Sequence, residues 1–258
     1  MSGWRRGIVC AIALVGISGC GDGDEPDIPP PPEAITTPTV SGGGSDTTGA
    51  DEAGETTLVA QAKADSLGIW SSPTVDGPPD LTIRARDEVG GQIVLVVKQQ
   101  LGSTWIETYL PTAPAGNSGW IKQDDVALSR HRFRIVVDRS DHLLTVHAGG
   151  VTALETPVSI GTTDGPAAGA EGLFIKDLIE IPETNGPYGR YVYGLTGSAN
   201  RADRFAARAG VVGIHGTDDP ASLGRDVPTG SLAIGDEALD RLVGSIGLPL
   251  GTPVEIVE

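Results

Sequence analysis

His215 and Ser231 are the two side chains in this sequence whose types and spacing suit them best to chemistry. His215 closes a short apolar run, Val211–Ile214, and Ser231 follows sixteen positions later, after a polar loop and a turn at Gly230. An imidazole delivered at a strand end beside a hydroxyl is the arrangement of a base next to a nucleophile. A serine hydroxyl does not ionise near neutrality, so the base must be well aligned and a third group must fix its tautomer. Asp218, Asp219 and Asp226 lie in the intervening loop and are the candidates for that third group. Serine is common, however, and histidine often only hydrogen-bonds; spacing alone equally fits an inert pair.

Local sequence must hold these groups in place. Val211–Ile214 reads as a strand, and the apolar run after Ser231 as another. Asp236 and Glu237 then open a helix, where negative charge meets the positive end of the helix dipole. Leu239, Leu242, Val243 and Ile246 recur at i, i+3, i+4 and i+7, so one face of that helix packs on the body. Upstream, Arg134–Val137, Leu143–Val146 and Thr152–Ile160 read as an antiparallel meander turning at Arg139–Asp141.

Several stretches together resemble the L,D-transpeptidase (YkuD-type) catalytic domain. They are Ile214-His215-Gly216-Thr217, Leu223-Gly224, Gly230, and the closing Gly251-Thr252-Pro253-Val254-Glu255-Ile256. The resemblance places the base at His215, the oxyanion turn at Gly230 and the nucleophile slot at Ser231. It departs at the chemical positions: Ser231 replaces the family's Cys, and Pro228 its Ser or Thr. Thr229 replaces its His or Asn, and Ala233 its Arg. The threonine of the family's T-P-x-G segment has no clear match in 166–174 either. The stretch 186–197 resembles a substrate-groove segment of one subgroup, which puts Tyr188 and Arg190 beside the cleft. Gly216, Thr217 and Thr229 complete the implied substrate-binding set.

The family's reaction is acyl transfer on peptidoglycan stem peptides, begun by a Cys thiolate. The chain has two cysteines, Cys10 and Cys20, and neither falls in the implied catalytic domain. Loss of the thiol, of the neighbour at 229 and of the Arg at 233 points to a catalytically impaired or non-catalytic protein that engages stem peptides. The alternative is an active acyl transferase or hydrolase using Ser231 with His215 as base. A purely structural envelope lipoprotein is the third reading.

The N-terminus sets the expected compartment. Arg5 and Arg6 precede an apolar run at Ile8–Ile17, and Ile17-Ser18-Gly19-Cys20 resembles a bacterial lipobox. The expectation is a lipoprotein signal at 1–20 with lipid on Cys20, and an extracytoplasmic, membrane-anchored protein of the bacterial cell envelope. Residues 21–55 hold nine acids, no Lys or Arg, and Pro and Gly runs, as a flexible acidic tether would. The formal net charge of −16 argues against nucleic-acid binding, which needs cations on phosphates.

Between Leu58 and Leu128 short alternating strands recur at Leu81–Ile83, Ile93–Val97, Trp105-Ile106 and Gly119–Ile121. The segment from Trp105 to Ile121 resembles a bacterial SH3-like small barrel. Its Trp105, Tyr109 and Trp120 either recognise wall peptide or glycan or, more simply, fill a small core. His131, His142 and His147 make no metal set, because 142 and 147 have opposite parity on a strand. No cofactor motif or phosphate loop is present.

The expected protein is therefore mainly β. An SH3-like module at 56–130 precedes an L,D-transpeptidase-type β-sandwich domain at 131–258 with one or two short helices. Its partners are peptidoglycan stem peptides and, through the anchor, a membrane.

Overall fold

A computed structural model describes residues 56–73, 77–86, 91–112, 114–163, 167–181, 187–197 and 213–258. The signal, Cys20 and the tether lie outside the described residues, as do Pro166, Gly186, Val211 and Val212.

The first strands run β1 (Thr57–Ala62), β2 (Ser66–Ile69), β3 (Leu81–Arg84), β4 (Val94–Leu101), β5 (Trp105–Tyr109), β6 (Ser118–Lys122) and β7 (Val126–His131). Five of them form an antiparallel sheet in the order β6-β5-β4-β1-β7, and β2 pairs with β3. Alternation along β5 and β6 turns Ile106 and Ile121 inward, both 0% exposed. The core they join is aliphatic: Ala60, Leu67, Ile69, Leu95, Leu110 and Val126. This corrects the simpler sequence expectation for the aromatics. Trp105, Tyr109 and Trp120 are only half-buried and are not members of that core.

The second set comprises β8 (Phe133–Asp138), β9 (Leu143–Ala148), β10 (Val151–Gly161), β11 (Ile175–Glu180), β12 (Tyr191–Leu195), β13 (Gly213–His215), β14 (Asp226–Val227), β15 (Leu232–Ile234) and β16 (Val254–Val257). They make a nine-stranded sheet in the order β11-β12-β13-β15-β10-β9-β8-β16, with β14 beside β10. The mainly β expectation is met, and so is the meander through β8, β9 and β10. The turn after β8 is held by Asp138, whose Oδ1 accepts from Ser140 Oγ at 2.8 Å and from the Asp141 amide at 3.0 Å. His142 follows with φ of 50°, in the left-handed region and before β9 begins. The strand-parity argument for His142 and His147 therefore does not apply.

One face of the large sheet is apolar. Ile135, Val137, Leu144, Val146, Val158 and Ile214 are each 0% exposed and pack in one cluster. The helix α1 (Asp236–Arg241) and the π-turn after it (Leu242–Ile246) cover this cluster with Leu239, Leu242, Val243 and Ile246, the face read from the sequence. Where the two sheets meet, backbone runs close. A Cβ on Gly172 would lie 2.5 Å from the Tyr109 ring, and one on Gly251 would lie 2.7 Å from Val59. A groove of about 530 Å³ opens between the sheets, lined among others by Lys98, Tyr109, Arg134 and Glu255. Tyr109 is the one residue there that the sequence singled out, and none of those around His215 and Ser231 lines it.

Candidate active site

The paired strands β13 and β15 build the site. They are parallel, with Ile214 opposite Leu232 and His215 opposite Ala233. Parallel neighbours need a long crossover, which is why the loop between His215 and Ser231 must be long. Ile214 and Leu232 point into the core at 0% and 1% exposure. Alternation sends His215 and Ala233 to the opposite face.

The crossover is fastened at several points. Ser159 Oγ on β10 donates to the Ser222 carbonyl at 2.8 Å. Thr217 Oγ1 accepts from the Asp219 amide at 3.0 Å, and Asp219 Oδ1 accepts from the Ala221 amide at 3.2 Å. Further on, β14 pairs with Ile160 and Gly161, and Asp226 Oδ1 meets His142 Nε2 at 3.1 Å. The Gly161 amide donates to the Ser231 carbonyl at 2.9 Å, and the Thr163 amide to the Thr229 carbonyl at 2.9 Å. Gly161 is required by this closeness. A Cβ there would stand 2.4 Å from the Thr229 oxygen and 2.6 Å from the Ser231 nitrogen.

His215 Nε2 and Ser231 Oγ are 2.8 Å apart. His215 Nδ1 is 2.5 Å from the Gly216 carbonyl. A carbonyl oxygen can only accept, so Nδ1 carries the ring proton and donates to it. Nε2 is then the lone-pair nitrogen, and the Ser231 hydroxyl donates to it. This is the tautomer a general base needs. His215 is 7% exposed and Ser231 5%. Burial pushes the imidazole below its ordinary pKa, against the opposing pull of the Gly216 carbonyl and of Asp236. The base is thus neutral at pH 7.

Tyr188 stands edge-on to the imidazole, with ring centroids 4.9 Å apart at 82°. Its carbonyl accepts from the Gly216 amide at 2.9 Å, so 188 and 216 run side by side. The structure therefore brings together His215, Ser231, Gly216, Tyr188 and the buried Gly230. Arg190 instead is exposed just before β12, with Nη2 3.1 Å from Glu180 Oε1 at the end of β11. Thr217 and Thr229 serve the loop through the bonds given above, and Thr229 is exposed.

None of the three loop aspartates holds the imidazole. Asp219 caps its own turn, Asp226 pairs with His142, and Asp218 is exposed, while Nδ1 is occupied by a backbone carbonyl. Sequence reasoning looked for a side chain where the fold uses the main chain, and a carbonyl leaves no residue-type signal. Among the described residues no group of His, Cys, Asp and Glu is disposed to hold a metal. No helix among them is long and apolar enough to cross a membrane.

No protein-family model matches this chain. No curated protein matches it either. Solved structures do, and several are L,D-transpeptidases. An Enterococcus faecium L,D-transpeptidase mutant is 26% identical over 48% of this chain and 49% of its own, at a TM-score of 0.36. The Xylanimonas cellulosilytica L,D-transpeptidase is 15% identical over 48% of this chain and 59% of its own, at 0.34. Bdellovibrio bacteriovorus Bd1075 is 20% identical over 50% and 48%, at 0.36. This chain thus spans about half the length of these structures. Such likenesses assign no residue a role, and the reading of the cleft rests on its own geometry.

Proposed function

We propose that this chain engages peptidoglycan stem peptides at the His215–Ser231 cleft, as an L,D-transpeptidase-type protein whose acyl transfer is impaired. The single observation that carries the reading is the bond from Ser231 Oγ to His215 Nε2, 2.8 Å long, at the two positions where the motif resemblance seats nucleophile and base. In this reading the cleft holds base and hydroxyl together where the resemblance implies a thiol. A thiolate forms in appreciable fraction near neutrality before attack. A serine must instead pass its proton to His215 as the C–O bond forms, leaving an imidazolium in a buried site. Behind that imidazolium stands the dipole of the Gly216 carbonyl and no directly bonded carboxylate. Ala233 also leaves the cleft without the Arg of the motif; a charge-assisted hydrogen bond of that kind contributes about 1.5 to 3 kcal/mol.

The same bond favours a second reading, residual serine chemistry. In that case Oγ attacks the stem-peptide carbonyl carbon, its proton moves to Nε2, and main-chain amides at the Gly230–Ser231 turn receive the oxyanion. The leaving amine then takes the proton from Nε2. An extracytoplasmic location and a lipid anchor on Cys20 fit both readings, with the SH3-like module between anchor and cleft.

Two measurements test this. Intact sacculi should retain the wild-type protein, and Tyr188→Ala should weaken retention. No retention of the folded protein would defeat the proposal. An acylating stem-peptide analogue should label Ser231→Cys much faster than wild type. Equal rates would show that the thiol was never the missing part.

A further inference from the structure

Behind the imidazole, on the side away from Ser231, two glycines leave a notch. Gly189 and Gly216 run side by side, and a Cβ on either would lie 3.0 Å from the other's Cα. The space those side chains would fill holds a carboxylate oxygen. Asp236 Oδ1 would stand 1.9 Å from a Cβ on Gly216 and 2.6 Å from one on Gly189. The aspartate reaches the notch from the first turn of α1, immediately after β15, so the strand that follows Ser231 also delivers this charge to the base. Its position in the helix alone would make Asp236 an ordinary dipole partner. The paired glycines are the independent observation, because any side chain at 189 or 216 would expel it.

We propose that Asp236 is the electrostatic partner of His215, a positioning residue seated between Gly189 and Gly216 that favours the imidazolium. The role would matter at one step. When the Ser231 proton moves to Nε2, His215 becomes a cation whose Nδ1 proton still bonds the Gly216 carbonyl. A carboxylate against the Cα of that same glycine opposes the cost of burying the cation. It acts through space, and it substitutes for the directly bonded acid that the loop aspartates do not supply. Among the described residues the groups facing the imidazole are Tyr188, Ser231, the Gly216 carbonyl and this carboxylate. Asp236 supplies the one carboxylate among them. The same direction follows from its effect on His215, which it pulls upward against burial. The assignment rests on His215 being the base and is independent of what the cleft binds.

The test is an NMR pH titration of the His215 ring in the full chain without substrate. Asp236→Asn should move the midpoint of His215 downward, Asp236→Glu should return it part of the way, and Glu237→Gln should leave it unchanged. Glu237 is the control because it sits in the same helical turn, is exposed as Asp236 is, and does not reach the two glycines. Equal shifts from Asp236→Asn and Glu237→Gln would reduce the effect to general surface charge and overturn the assignment. So would an unchanged midpoint in Asp236→Asn, or a His215 that never protonates in the folded wild type. Because no substrate is present, failure to bind sacculi would leave this result standing, and the reverse holds too.

Discussion

The two sheets satisfy their buried polar side chains differently. The small sheet buries the Glu107 carboxylate, 9% exposed, among three polar side chains, and leaves Trp105 half-buried beside the exposed Lys122. Glu107 there accepts from Ser118 Oγ at 2.7 Å and from Gln99 Nε2 at 2.5 Å, with Lys98 at 3.5 Å. Lys122 stands 5.1 Å from the Trp70 ring and 5.9 Å from that of Trp105, which meet edge to face. The large sheet buries a neutral histidine and a serine, 7% and 5% exposed, on the face opposite its core, bonded to each other and to the Gly216 carbonyl. A buried polar pair costs more to disturb than an exposed one, because an orphaned partner cannot turn to water. Lys122, exposed at the small sheet's rim, can turn to water when its ring partner is lost, and the buried pair in the cleft cannot.

The largest expected effect lies under the cleft. Ile214→Ala removes a fully buried side chain next to His215 and should cost about 2 to 5 kcal/mol in urea unfolding. A loss near zero would mean the cleft face is not held by the core below it. Gly161→Ala comes next. Its Cβ would press on backbone at Thr229 and Ser231, which cannot swing aside, and overpacking of this kind costs about 1 to 3 kcal/mol. The Ser231→Cys background should then lose its acylation along with stability; retained labelling would show the turn is not seated by Gly161.

Ser231→Ala strips His215 Nε2 of its hydrogen-bond donor and should cost on the order of 1 to 3 kcal/mol, unless water reaches the ring. The pH response follows from the same burial. The folded pKa of His215 is depressed, so the unfolded chain binds the proton more readily. Stability contributed by the neutral ring is full above the unfolded value of about 6.5, falls as pH drops below it, and levels once the folded ring protonates. Thermal melts from pH 7.5 to 5 should show this slope in wild type and a shallower one in His215→Gln. The smallest effect belongs to the rim: Lys122→Ala should cost about 0.5 to 1 kcal/mol, the range of an exposed cation–π contact. A loss as large as that of Ser231→Ala would erase the contrast between the two sheets.

Much of the scaffold could be read from the chain itself. Alternation found β8, β9 and β10 because Ile135, Val137, Leu144 and Val146 mark one face without interruption. It missed β11 and β12, where Lys176 and Asp177 break the pattern and Gly194 interrupts the apolar run. It misjudged Trp105 and Trp120, since aromatic residues look like core until strand partners decide which face they take. The parity argument for His142 failed because a left-handed turn residue has no strand face.

Residue order alone tells that the implied catalytic domain has no cysteine, that Ser231 follows His215 by sixteen positions, and that the chain favours strands. Covalent order and residue type are enough for such statements. Folding alone brings the imidazole onto the Gly216 carbonyl, Tyr188 edge-on to its ring, and an Asp236 oxygen into the notch between two glycines. Those contacts join main-chain atoms and empty space from distant segments, and neither a carbonyl nor a vacancy is written in the one-letter code.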